Sequence, residues 1–242
     1  MTGRTTYLII VFNVFFICHL FSQSRKDPIF KTRIGVSPVL SFYKSNPRHT
    51  NSTKPKMAFN ISCKEEIKFG KKRETAILVG LEYMIHGLSF DSYYFYLDSL
   101  KLYTPERLKY TYNLKIYELN FPIQLKYAFQ KETNAVYSSY IFGGYNLRWL
   151  MSSQLQVTDN GNEIVNKRET VSFKIPLFMN QLNSFLTIGA GFQRNKFAKQ
   201  TALFLECQFK YGLSPIYMND VFTPSSLYIN SHFLLLTVGV KI

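Results

Sequence analysis

The chain is poor in the residues on which many enzymes and small secreted folds depend. Its 242 residues include one tryptophan, four histidines and three cysteines. Cys18 lies in the apolar N-terminal stretch, which leaves only Cys63 and Cys207, too few for a disulfide framework. An exported protein could pair those two, but both fall on apolar phases of separate strands and read as small hydrophobes. No Cys/His cluster has metal-ligand spacing, and there is neither a phosphate-binding glycine loop nor a G-x-S-x-G element. Charged residues make up only 18%. After the N-terminus no apolar run reaches about 20 residues, which excludes a helical membrane bundle in the mature chain. Strands that cross a membrane are not excluded, because alternation hides half of their residues from a hydropathy window.

What is abundant is aromatic: 22 Phe and 17 Tyr. The stretch "YELNFPIQLKYAF", residues 117–129, shows how they are used. Its odd positions are Tyr117, Leu119, Phe121, Ile123, Leu125, Tyr127 and Phe129; both of its charges, Glu118 and Lys126, are even. Period-two alternation marks a β-strand. Thirteen residues at about 3.3 Å each, tilted by about 40°, rise on the order of 30 Å, which is close to the thickness of a bilayer's hydrocarbon.

The pattern recurs at 33–43, 57–69, 76–87, 138–151, 185–193, 202–213 and 232–242, giving eight strands. Three connections are short and charged: "GKKRE", "QKETNA" and "RNKFAK". The other four, roughly 44–56, 88–112, 152–184 and 214–231, are long. Short and long alternate, as in an all-β, eight-stranded antiparallel up-and-down transmembrane β-barrel with short periplasmic turns and long outer loops. The tyrosine-dense 90–112 can extend two strands toward the outer interface or form an aromatic-rich binding loop, and 169–184 can prolong the sixth strand.

The first residues, "MTGRTTYLIIVFNVFFICHLFSQS", carry Arg4, an apolar stretch from Tyr7 to Phe21, and small Ser22. This is the layout of a signal peptide over 1–22, followed by a short segment 23–32 and a barrel over 33–242. An uncleaved anchor helix is the alternative.

Which phase faces lipid follows from the wet one. It is rich in glycine (Gly35, Gly80, Gly144, Gly189, Gly191, Gly212, Gly239), as a narrow, crowded interior requires. The dry phase carries more large apolar side chains than an eight-stranded interior could hold. Lipid is therefore the dry side. The formal net charge of +14 invites nucleic acid as a partner, but the basic residues are scattered and export removes the chain from it. A surface rich in lipid phosphate accounts for the charge better. The expected partners are outer-membrane lipids, including lipopolysaccharide.

The export signal, "YELNFPIQLKYAF", "YIFGGYNLRWL", "FLTIGAGFQ", "FLECQFKYGL" and terminal "LLLTVGVKI" together resemble the PorT-like family of small outer-membrane β-barrels. The resemblance spans about 33–242 and implies a Gram-negative outer-membrane barrel. Some members of that family belong to a secretion and gliding apparatus, which implies a secretion-machinery or cell-surface protein as a partner. The chain departs from many such barrels by ending in Ile242 rather than Phe or Tyr.

Catalysis has one candidate centre: His86 on the inward phase, with Ser89 and Asp91 nearby in sequence. Without supporting motifs, His86 reads as a hydrogen-bonded lumen histidine. His49 sits in a polar loop, and His232 opens the last strand. No enzyme activity, cofactor or metal is expected. The more informative constellation is one of inward charges: Glu82, Glu118 and Glu206 share a phase with Arg33, Lys126, Arg148 and Lys210. Unpaired charge in a narrow interior is costly, so the two signs are expected to interleave in a lumen network. A gated polar pore and a lipid-modifying hydrolase are the alternatives to a structural or interaction role.

Overall fold

The computed structural model describes residues 30–46, 50–55, 57–69, 74–95, 107–130, 135–159, 162–170, 182–198, 201–214, 216–218 and 227–242. The signal-peptide reading over 1–22, the segment up to residue 29, and His49 lie outside the described residues. The strands are β1 (Phe30–Asn46), β2 (Thr50–Pro55), β3 (Met57–Phe69), β4 (Thr75–Phe95), β5 (Arg107–Ala128) and β6 (Tyr137–Asp159), followed by β7 (Asn162–Thr170), β8 (Leu182–Ala198), β9 (Thr201–Gly212), β10 (Ile216–Met218) and β11 (Leu227–Lys241).

Eight of them form the wall, in the order β1-β3-β4-β5-β6-β8-β9-β11, and β1 pairs with β11 to close it. Every pairing is antiparallel. At the seam, Thr32 and Ile242 exchange backbone hydrogen bonds of 3.1 and 2.9 Å. Closure leaves no sheet edge in the wall, the condition for placing strands in hydrocarbon.

Register fixes the barrel's shape. Starting at Asn183, partners run through Arg148, Asn120, Glu82, Ser62, Gly35, Gly239 and Phe204 and return to β8 at Gln193. The stagger is thus ten residues (193 − 183). Eight strands about 4.8 Å apart, with that stagger at about 3.3 Å per residue, tilt by about 40°. Along the wall the outward phase is exposed and apolar, as in Ile123 at 61% and Ile188 at 66%. Facing inward, Glu82, Glu118, Asn120, Arg148 and Lys210 are fully buried.

Two glycines show how narrow the interior is. Tyr140 and Phe142 of β6 stand in register with Gly191 and Gly189 of β8. A Cβ on either glycine would overlap the facing aromatic ring. The rings take the volume that those side chains would have used.

The four long connections are not simple loops. β4 and β5 continue past the wall as a hairpin, paired to Phe95 and Arg107. β6 runs on to Asp159 and pairs there with β7, while β2 pairs with β4 and β10 with β11. Residues 169–170 accordingly belong to β7 rather than prolonging the sixth wall strand. The barrel begins at Phe30, ahead of the expected residue 33, because β1 pairs with β3 from that point. In "RNKFAK", strand β8 continues to Ala198 through a register irregularity, which narrows that connection to 199–200.

The alternation changes sign near the outer end of the wall. Below it, outward Tyr117, Leu119 and Trp149 are partly exposed, and inward Glu118, Asn120 and Arg148 are buried and polar. Above it, inward Leu88, Leu114 and Ile116 are completely buried, while outward Lys115 is exposed. The outward row Gly87–Lys115–Gln154–Arg168 is followed by Lys54–Ser89–Asn113–Gln156–Asn166. A bulge between Tyr117 and Glu118 leaves Met151 as an extra residue on β6 at the same height. Apolar surface that faces lipid must give way to polar surface where water begins, so the inversion marks the outer membrane boundary.

Leu236, 50% exposed, lies on β11 between His232, stacked on Tyr211 at 4.6 Å, and Ile242 at the other end. Leu236→Arg should cost about 2–4 kcal/mol of folding stability in lipid vesicles, whereas Asn113→Arg beyond the boundary should cost little. Urea titrations read by heat-modifiable gel migration check both.

Candidate functional site: the charged lumen

Each lumen charge is carried by a wall strand whose alternation turns it inward, and the stagger sorts the charges into tiers. Nearest the end formed by the short turns is Glu66 of β3. Its Oε2 accepts from Arg33 Nη1 at 2.9 Å and Lys126 Nζ at 3.0 Å, and its Oε1 accepts from Lys241 Nζ at 3.3 Å. Arg33 also donates to Glu206 and, at 2.6 Å, to the Tyr140 hydroxyl, which in turn donates to Glu206 at 2.9 Å. The Arg33 guanidinium lies over the Phe204 ring at 4.1 Å, and Lys126 Nζ over Tyr140 at 4.2 Å.

The middle tier centres on Glu82. Lys64 Nζ is 2.8 Å from its Oε1, and Lys210 donates to its Oε2. Amides and hydroxyls complete this layer: Lys64 also donates to Gln124 at 3.3 Å, and Gln124 and Thr187 both donate to Asn146 Oδ1. Above it is an apolar layer of Val39, Ala58, Met84, Phe185, Phe233 and Leu235.

The third tier is Tyr43–His86–Glu118–Arg148. The Tyr43 hydroxyl is 2.7 Å from His86 Nδ1, and His86 Nε2 is 3.0 Å from Glu118 Oε2. Asn120 donates to Glu118 Oε1 at 3.2 Å. Arg148 Nε lies 3.2 Å from Glu118 Oε2, within ion-pair distance but not aligned as a hydrogen bond. Neither terminal nitrogen of Arg148 has a hydrogen-bond partner in the protein, so Glu118 is its counter-ion.

All seven charges read from the sequence (Arg33, Glu82, Glu118, Lys126, Arg148, Glu206 and Lys210) thus face the lumen, in three tiers rather than one mesh. Glu66, Lys64, Lys241 and Tyr140 were not among them, and Glu66 is the hub of the first tier. Parity alone places Lys64, Glu66 and Lys241 on the wet face of their strands. Tyr140 carries a weaker signal, an aromatic residue on the wet phase just before a glycine pair. Six buried cations surround four buried inward carboxylates, so some carboxylates, Glu66 and Glu82 among them, serve more than one cation.

The grouping His86–Ser89–Asp91 is not assembled. His86 is 1% exposed and points inward, whereas Ser89 is on the opposite phase, in the row of Asn113. Cys63 and Cys207 are free thiols, and among the described residues no group of three His, Cys, Asp or Glu could hold a metal.

A closed eight-stranded antiparallel barrel, apolar outside and charged within, defines the class: a β-barrel protein of the outer membrane. Residues 21–218 match the family described as outer membrane protein beta-barrel domain, and the chain belongs to that family. No curated protein matches the sequence. Among solved structures the chain is similar to the outer membrane protein OprG of Pseudomonas aeruginosa, with 12% identity over 88% of this chain and 95% of that one and a TM-score of 0.51. It is also similar to Neisserial surface protein A (12% identity, 88% and 96% covered, TM-score 0.42) and to Ail, the attachment invasion locus protein of Yersinia pestis (13%, 88% and 98%, TM-score 0.39). At such identities the likeness is one of fold.

Glu118→Ala should destabilise the barrel by about 3–5 kcal/mol, because Arg148 and His86 lose their shared acceptor in a buried site. Unfolding of refolded wild type and variant in urea measures the difference.

Proposed function

We propose that the protein is a PorT-like barrel, exported by a cleaved signal peptide to a Gram-negative outer membrane, where it holds a partner rather than conducting solutes or catalysing a reaction. The partner class is a secretion-machinery or cell-surface protein. The observation that carries this reading is the sheet above the boundary: β4, β5 and β6 outrun the wall, and β2 and β7 widen them. Strand pairing holds that sheet rigidly on the barrel, which preorganises a binding surface.

The lumen supports the same reading. Its largest fully buried side chains include Arg33, Arg148, Tyr140, Lys126, Phe185 and Lys210, which reach inward from five different wall strands. An eight-stranded interior is only just wide enough for side chains to fill. His86 is enclosed between Tyr43 and Glu118, a poor position from which to meet a substrate.

Replacing 157–165 at the tip of the β6–β7 hairpin with an Asn-Gly turn should leave a heat-modifiable barrel in the outer membrane. It should also abolish a stoichiometric complex recovered from native cells in mild detergent. An unchanged complex, or none with the wild type, removes the interaction reading. Purified protein should give no large stable conductance in planar bilayers. Steady porin-like currents would put the small transport pore in its place.

A further inference from the structure

The sheet above the boundary carries a charge pattern that its role as a scaffold does not require. In its two outward rows nearest the membrane stand Lys54, Lys115 and Arg168, on β2, β5 and β7, with no carboxylate in either row. The next row out contains Asp91 and Glu163. The outward rows nearest the hydrocarbon thus carry cations and no acid, and the first acids stand one row beyond them. Lys115 is exposed, and its Nζ lies 5.2 Å from the centre of the Tyr117 ring, which sits one outward step below, on the membrane side. An interfacial tyrosine with a lysine head above it is the arrangement by which a long cation reaches lipid headgroups.

We propose that this face is a docking surface for the phosphorylated headgroup of an outer-leaflet glycolipid, with Lys115 as its central phosphate contact and Lys54 beside it. Three features select this occupant. The cations stand where a headgroup phosphate stands, at the boundary and on the outward face. The other polar residues of these rows are amides and a hydroxyl (Asn113, Gln154, Gln156 and Ser89), which suit sugar oxygens. The absence of acids from these rows makes the charge complementary to phosphate. The inference rests on the outer-membrane reading and on lipopolysaccharide as one of its lipid partners, and adds the surface and the group recognised.

The test uses the mature chain refolded into phosphatidylcholine nanodiscs doped with equal amounts of lipid A and dephosphorylated lipid A. Lipids retained on the released barrel are counted by native mass spectrometry. Wild type should retain the phosphorylated form preferentially. Lys115→Gln should lower that preference about fivefold, and adding Lys54→Gln should lower it by about fivefold more. Lys115→Arg should keep it, and so should Arg194→Gln, an exposed arginine near the opposite end of the barrel. Equal retention of the two lipids by wild type, or an undiminished preference in the double variant, overturns the proposal while leaving the barrel reading intact. A chain that never becomes heat-modifiable in the discs overturns the barrel reading itself, and the inference with it.

Discussion

The structure depends on one constraint: hydrocarbon offers no hydrogen-bond partner to a peptide group. A sheet placed there must meet its own other edge. The long β1–β11 ladder, from Arg33 opposite Lys241 to Asn46 opposite Tyr228, is how this chain does so. Once eight strands close with a ten-residue stagger, tilt and radius follow, and with them the volume left inside. That volume explains why Gly189 and Gly191 stand where aromatic rings of β6 cross, and why the inward phase accepts few further large groups.

Closure also decides how charge is handled. Groups that water would solvate separately on an open sheet are brought within reach across the lumen, where each must find a counter-ion or cost several kcal/mol. The solution is sharing. Glu66 serves Arg33, Lys126 and Lys241, Glu82 serves Lys64 and Lys210, and Glu118 serves Arg148 and His86. A lumen built in this way is held by pairs that each depend on the others. It resembles the polar core of a soluble protein more than the lining of a channel.

Past the outer boundary the same strands obey the opposite solvent rule. Leu88, Leu114 and Ile116 turn inward, and Lys115 and Asn113 turn outward, although β4 and β5 keep their parity and pairing. One continuous hairpin therefore belongs to two environments, and its chemistry changes where the surroundings do. The part outside the membrane is the part free to meet other molecules.

Much of this was legible in the sequence, since alternation is local. Strand number, the lipid-facing phase of "YELNFPIQLKYAF" and the inward set from Arg33 to Lys210 follow from parity, because a strand exposes every second residue to one solvent. The sequence determined which residues go in and which go out. It could not determine which inward charges meet, because Glu66 and Lys241 lie 175 positions apart and touch only through the stagger of the closed barrel. Nor could it show that 152–159 and 162–170 pair with each other as strands: they carry mixed patterns whose β-structure comes from pairing with neighbours. Parity is a property of one strand, while closure, register and the tiers of the lumen are properties of all eight together, and only the tertiary structure decided them.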